Sequence, residues 1–398
     1  MAEEIEFLAW SRMEEGAADL KRSLAAFQAI YPDINVSITM PEPGMMWEEI
    51  IRIVLYKQGA DIGEVGSTYI ESLKGMDALR PFTAEEVLSF GGDKAFVKSM
   101  LEAGRDSEGQ LWAIPWRTDS RVIFYRRDIF AKAGINESGA FLTPARMEQT
   151  LQALQDGGVE VPLALATAAA QSLTLFTTCW VWGAGGDYID PDGSKIIFNS
   201  PKAQQGFRDY FRLARYLVPS ARKLGIIPSD RLFCEGKAAV TYTGTWLPDA
   251  IDQMGSPMVK ENLGVALPPG VPLVGGTHLV VWRHSIRVSD SVKLIRFLTS
   301  KENLTGYPRS IVSPARLDVF DSHAFSSSIV NQTFIEAIRR GRSIPSLPLW
   351  AAVEDRLGKT LLQIWEKVYS EPDINMDDLI ADSVNSLAMR LTPPRKPK

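Results

Sequence analysis

The sequence predicts an α/β protein of two lobes, each a mainly parallel sheet wrapped by helices. Strand-like and helix-like stretches alternate from the amino terminus, the signature of βα units. At 398 residues the chain is too long for one ordinary core and suits two domains. Residues 114–134, IPWRTDSRVIFYRRDIFAKAG, read as the place where one block ends and the next begins.

Residues 4–9 alternate weakly and stop at Trp10-Ser11-Arg12, after which Leu20, Leu24 and Phe27 fall on one helical face. Tyr31-Pro32-Asp33 ends that helix. Ile34, Val36 and Ile38 then alternate with polar residues as a strand, 47–58 form a helix stopped by Gly59, and 61–65 form a third strand. Strands joined through helices argue for a parallel sheet covered on both faces. Ligands of such sheets lie beyond the carboxyl ends of the strands, which makes Trp10, Ser11, Arg12, Glu42, Ser67, Thr68 and Tyr69 site candidates of the first lobe.

Farther on, Pro115 and Thr118-Asp119-Ser120 predict an interruption, Val122 to Tyr125 a short strand, and Asp128 the start of a helix ended by Gly134. Helix is predicted over 147–154, strand over 162–166, and helix over 172–182. The Asp190-Pro191-Asp192-Gly193 turn precedes an expected strand at Ile196-Ile197-Phe198. Asn199-Ser200 then cap a helix whose Ala203, Phe207, Tyr210, Phe211 and Ala214 share a face. Residues 161–186 carry no charge, but Pro162, Gln171 and the threonines favour a buried strand and helix over a membrane span.

Composition is that of a globular chain, 45% apolar and 23% charged. Lys and Arg number 43 against 48 Asp and Glu, so nothing electrostatic favours nucleic acid as a partner. Cys179 and Cys234 are too few for a disulfide scaffold or a thiolate metal site, and the sequence leaves open whether they pair. The three histidines, His278, His284 and His323, lack metal-ligand spacing, and no cofactor is expected. Met1-Ala2-Glu3-Glu4 has neither the basic start nor the apolar core of a signal peptide, so a secreted chain would carry its leader outside this sequence.

A Pro, a loop Asp, an apolar strand ending in Tyr125 and the run D-x-F-x-K-A-G from Asp128 to Gly134 resemble the hinge crossover of bacterial extracellular solute-binding proteins, the sugar receptors of ABC importers. Arg126 departs from the Asn or Asp usual there. The similarity continues in order through Gly185-Gly186, the Asp192-Gly193 turn, FNSPKAQQGF, FCEGKAAV and Gly244-Thr245-Trp246. It implies a type II periplasmic-binding-protein fold with ligand in the cleft between lobes. The amino-terminal lobe is then expected from 1–113 with 262–308, the other from 114–261 with 309–398. It further implies a non-catalytic monomer, periplasmic or extracellular at the membrane, that captures a carbohydrate and meets the transmembrane subunits of an ABC permease.

A sugar ring offers apolar C–H faces and a rim of hydroxyls, so its receptor needs flat aromatic surface and planar donors or acceptors. Trp10, Tyr69, Trp116, Trp182 after Trp180, and Trp246 are the aromatic candidates; Asp119, Arg121, Gly183, Gly244, His278 and Arg309 join them by position. Each has a plainer reading as core packing, turn or cap. Arg12, Arg117, Arg121, Arg126 and Arg309 could instead converge on an anion, giving a receptor for a phosphorylated polyol or acidic sugar. A carbohydrate hydrolase is the remaining alternative, with Asp61 and Glu64, or Asp187 and Asp190, as its carboxylate pair.

Overall fold

The computed structural model describes residues 3–391 apart from 11–13, 43–44, 107, 307–312, 321, 323–327, 345–346 and 348–349. Two compact units emerge. Unit 1 comprises Met1–Asp119, Val274–Asn331 and Ser343–Pro348; unit 2 comprises Ser120–Leu273, Gln332–Arg342 and Leu349–Lys398. Against the expected lobes, 262–273 fall in unit 2, while 114–119, 309–331 and 343–348 fall in unit 1.

Unit 1 is built on strands β1 (Glu3–Leu8), β2 (Ile34–Thr39), β3 (Ile62–Gly66), the amino-terminal half of β4 (Ile114–Arg126), β8 (Val274–Val281) and β9 (Ser313–Pro314). The order is β2-β1-β3-β8-β4, with β9 on β4. Period-two alternation sends Ile5, Phe7, Leu279 and Val281 to one face, where they meet Leu20, Leu24 and Phe27 of the helix Glu14–Ile30. Leu8, Val65 and Val280 go to the other face, against Met46, Ile50 and Ile53 of the helix Met46–Tyr56. The sheet is thus covered on both sides, as the chain's strand-helix alternation predicts.

Unit 2 takes the carboxyl-terminal half of β4 with β5 (Val161–Ala164), β6 (Ala238–Gly244) and β7 (Leu263–Ala266). Here β4 pairs with both β6 and β7, and β5 pairs with β6. The helix Ala170–Gly183 packs against Pro201–Phe211 and Trp350–Ser370, which accounts for the uncharged stretch. Among the described residues no helix is long and apolar enough to cross a membrane.

Three expectations change. The sheet is mixed: β1 with β2 and β3, and β5 with β6, run parallel, but β8 is antiparallel to β3, and β4 is antiparallel to β6, β7 and β9. Thr118-Asp119-Ser120 is not a turn, because β4 runs unbroken through it. Thr118 pairs with Ser313 on one side and Arg121 with Gly244 on the other, so tertiary pairing overrides the turn preference of Asp and Ser. Residues 196–198 form no strand, only an isolated bridge from Ile189 to Ile196. Asp190 and Asp192 take the neighbouring backbone N–H groups of Lys195 and Ser194 into local turns instead. Cys179 and Cys234 are both free and buried, and burial raises both thiols, Cys234 to about 12.

Candidate functional site

In unit 1 the parallel pairs β1–β2 and β1–β3 bring their carboxyl ends to one edge, and antiparallel β8 begins at the same edge. Glu64, wholly buried near the end of β3, ties this edge together. Its Oε2 accepts from the Trp10 backbone N–H at 3.1 Å and its Oε1 from the Thr277 hydroxyl at 2.8 Å. Ser67, Thr68 and Tyr69 follow β3 as a single 3-10 turn. The Tyr69 ring lies 4.9 Å from that of Trp47, and Trp10, Trp47 and Tyr69 are half-buried against the same apolar core. Trp112 packs against this core as well. Glu42 is exposed, and its carbonyl accepts from the Met45 N–H. Asp119 is half-buried beside Gly275, where an added Cβ would sit 2.8 Å from its carboxylate.

Two unit 1 candidates prove to be core residues. Trp116 has no exposed surface; its Nε1 donates to the Leu298 carbonyl at 3.2 Å and the Arg117 guanidinium covers its ring at 4.1 Å. His278 is also wholly buried, with Nε2 2.8 Å from the Met100 carbonyl, and burial depresses its imidazole to about 4. Strand-end position misleads for Trp116, and the preceding Gly pair for His278, because each side chain faces inward and packs in the core. Ser11, Arg12 and Arg309 lie outside the described residues.

In unit 2 the candidates gather where β6 ends beside β4. Arg121 and Gly244 face each other across this antiparallel pair, and the Trp246 indole lies over both. The Arg121 guanidinium sits 4.5 Å from the Trp246 ring centre and 5.3 Å from that of Phe176, in cation–π contact with each. At its edge the indole Nε1 donates to Asp230 Oδ2 at 2.9 Å. Asp230 comes from the helix Ile226–Cys234 and is almost wholly buried. Burial pushes its carboxyl up to about 6, against the opposing pull of the Trp246 and Thr243 side chains and the Arg121 charge. Trp246 is half-buried, so a ring held at its edge by Asp230 and against Arg121 keeps part of its surface open.

Trp182 and Gly183 belong elsewhere. Trp182 is buried, its Nε1 donating to Asp187 Oδ1 at 2.9 Å while Arg342 covers its ring at 4.7 Å and binds Asp187 Oδ2 at 2.7 Å. Gly183 admits the backbone of Gly270, whose Cα would lie 2.9 Å from an added Cβ. Trp180 is likewise buried, between Tyr210 and Tyr242. Arg126 does not join Arg121: it sits five residues along β4, paired with Asp128 at 2.6 and 2.8 Å and donating to the Gly236 carbonyl.

The carboxylates suggested for hydrolysis have structural partners. Asp61 accepts from the Ser285 hydroxyl at 2.6 Å and the Glu6 N–H at 3.1 Å, Glu64 holds Trp10 and Thr277, and Asp187 holds Trp182 and Arg342. Sequence reasoning missed Glu64 as an anchor, Trp47 and Phe176 as ring partners, and Asp230 altogether. Asp230 lies sixteen residues from Trp246 and just outside the FCEGKAAV run, so only the fold joins the two.

Comparison with known proteins places this geometry in context. The family model for bacterial extracellular solute-binding proteins matches residues 10–305. A probable ABC transporter-binding protein of Deinococcus radiodurans is 28% identical over 275 residues, covering 64% of this chain and 63% of the relative. The diacetylchitobiose binding protein DasA of Streptomyces coelicolor is 23% identical over 262 residues, 62% of this chain and 59% of its own. The chain thus matches somewhat under two thirds of these relatives' length. Among solved structures, the GacH receptor of Streptomyces glaucescens, studied unliganded and with acarbose, has a TM-score of 0.83 at 17% identity and full coverage of both chains. Maltose-bound MalE3 of T. maritima has a TM-score of 0.83 at 20% identity, covering 98% of this chain and 100% of that one. The two α/β units therefore have the two-lobe type II architecture of MalE-like sugar-binding proteins, and the chain belongs to the bacterial extracellular solute-binding protein family.

Proposed function

We propose that the chain is the substrate-binding component of an ABC importer, a monomer acting outside the cytoplasm that captures a neutral mono- to oligosaccharide and delivers it, unaltered, to the permease's transmembrane subunits. Capture by closure of the two lobes on the ligand is part of the reading. The half-exposed Trp246 carries it: Asp230 fixes the indole edge and Arg121 backs its face, so the surface that would stack on a sugar's C–H face is ordered before the ligand arrives. The aromatic residues Trp10, Trp47 and Tyr69, with Ser67 and Thr68 just before Tyr69 in the chain, supply the second set of candidate contacts, and Asp119 beside Gly275 a further one. Carbohydrate ligands named for the similar proteins support the class without fixing the sugar.

A phosphorylated polyol or acidic sugar is a second reading, favoured by the buried cation of Arg121. Against it, that guanidinium is flanked by the Phe176 and Trp246 rings and lies within electrostatic reach of the Asp230 carboxylate, an environment shaped by aromatic faces and an acidic group. Thermal shift with maltose, D-tagatose, D-mannitol, diacetylchitobiose, a polyol phosphate and a sugar acid tests both, since a ligand of the native state raises the melting temperature. A neutral sugar that stabilises the chain and is recovered intact supports the receptor. Stabilisation by the anionic compounds alone supports the second reading, and recovery of cleaved sugar overturns both.

A further inference from the structure

Asp230 is out of place as a purely structural residue. It sits on the inward face of a short helix among Ser229, Phe233 and Cys234, where an apolar side chain would pack without desolvating a charge. One of its oxygens takes the indole N–H of Trp246, the ring that lies close over Gly244 and in cation–π contact with Arg121. The indole therefore has two fixed points, and the carboxylate is the one that sets its rotation about the side-chain bonds.

We propose that Asp230 is a positioning residue for ligand recognition: its carboxylate holds the plane of Trp246 against Arg121 and thereby sets the affinity of unit 2 for a carbohydrate. The inference rests on the receptor reading for its consequence in binding, but not for the positioning itself. An indole donating to an ionised carboxylate makes a charge-assisted bond, stronger than one to the neutral acid. Protonation of Asp230 therefore loosens the ring. The groups that bear on the carboxylate are Trp246, Arg121 from β4, Thr243 from β6 and Cys234 one turn along its own helix; the helix Leu247–Met254, which packs against that helix, carries a further buried carboxylate in Asp249. The balance of burial against these donors brings its carboxyl to about 6, so the hold on the ring changes over a mildly acid range.

The test uses the full chain, its Asp230→Asn and Asp230→Ala variants, and Trp246→Phe as a spectroscopic blank. Without ligand, the difference in tryptophan emission between the chain and Trp246→Phe is followed from about pH 8 to about pH 4.5, and the positioning role predicts a step near the carboxyl's titration. Asp230→Asn keeps an oxygen acceptor and removes the step; Asp230→Ala gives the loosened spectrum at every pH. In parallel, calorimetric titration with maltose, D-tagatose, D-mannitol and diacetylchitobiose measures affinity. The bound sugar is expected to weaken about tenfold in Asp230→Ala and in the acidified wild type, and by less than about threefold in Asp230→Asn, the range that one aromatic contact spans. A flat emission profile, or Asp230→Ala binding as tightly as wild type in a folded protein, overturns the inference. If none of the four sugars binds the wild-type chain while the emission step is present and lost in Asp230→Asn, the positioning holds and the neutral-sugar reading falls.

Discussion

Arg121 and Gly244 face each other in the ladder between β4 and β6, and the Trp246 indole lies over the pair so closely that a Cβ on Gly244 would come 2.0 Å from the ring. The glycine is there to let the ring down onto the sheet. Gly244→Ala is expected to lift the indole off Arg121, destabilising the chain by about 1 to 3 kcal/mol through overpacking. Ligand affinity should fall with it, and calorimetric titration beside a melting curve separates the two effects. A variant that binds and melts like the wild type contradicts this placement of Trp246.

Trp246→Ala removes both the stacking face and the donor to Asp230. Loss of the face weakens carbohydrate binding by about 1 to 3 kcal/mol. Loss of the donor leaves a buried carboxylate oxygen unmet, which costs roughly another 1 to 3 kcal/mol of stability and raises the Asp230 carboxyl further. Chemical denaturation at neutral pH measures that second cost, and unchanged stability would argue that water or Thr243 replaces the indole.

His278 and Asp230 bias the acid response in opposite directions. Burial lowers the folded pKa of His278 to about 4 from 6.5 in the unfolded chain, so unit 1 holds its full stability above 6.5 and loses it as pH falls toward 4. The loss attributable to this residue approaches about 3 kcal/mol. His278→Gln should flatten the denaturation midpoint across this window; an unaltered acid slope would exclude the residue as its source.

For Asp230 the folded pKa is raised, to about 6 from 3.8, so the native state gains stability as pH falls through 6 and is penalised above it. Asp230→Asn should therefore stabilise the chain near neutral pH by about 1 to 2 kcal/mol, less at acid pH, while not improving its binding of sugar. Equal destabilisation at all pH values would instead mark the carboxylate as part of the fold's support.

Trp116→Phe offers a control on the aromatic assignments. The indole fills the unit 1 core and its Nε1 holds the Leu298 carbonyl. The smaller ring should cost about 1 to 3 kcal/mol of stability. Affinity should stay within about twofold of wild type, because the side chain has no surface to offer a ligand. A large loss of affinity without loss of stability would return Trp116 to the site.

Local pattern made much of the architecture legible. The Leu20, Leu24, Phe27 spacing, the alternation in 34–38 and the Ser200 cap each specify an element through neighbours in sequence, and each element is present. What escaped depended on partners remote in sequence. Antiparallel β8 inserts beside β3 from more than two hundred residues away, and β4 runs straight through a turn-like triplet because strands from later in the chain hold it. The site divides the same way. Trp246 announces itself by its Gly-Thr-Trp setting, but whether an aromatic near the end of a strand or helix faces in or out is decided by packing, which put Trp116 and Trp182 inside. Asp230 has no local signature, since its meaning lies in the indole it meets.

Unit 1 is an interrupted unit, with three of its strands encoded before residue 67 and β8 only at Val274–Val281. A nascent chain leaving the ribosome amino terminus first must therefore carry β3 with an open edge while the greater part of unit 2 is being made. Unit 2 in turn waits for Trp350–Ser370 to cover its helix Ala170–Gly183. Contacts of such long sequence separation form slowly. Neither core can close during translation before these later segments have emerged, so each lobe waits on chain made long after its first strands.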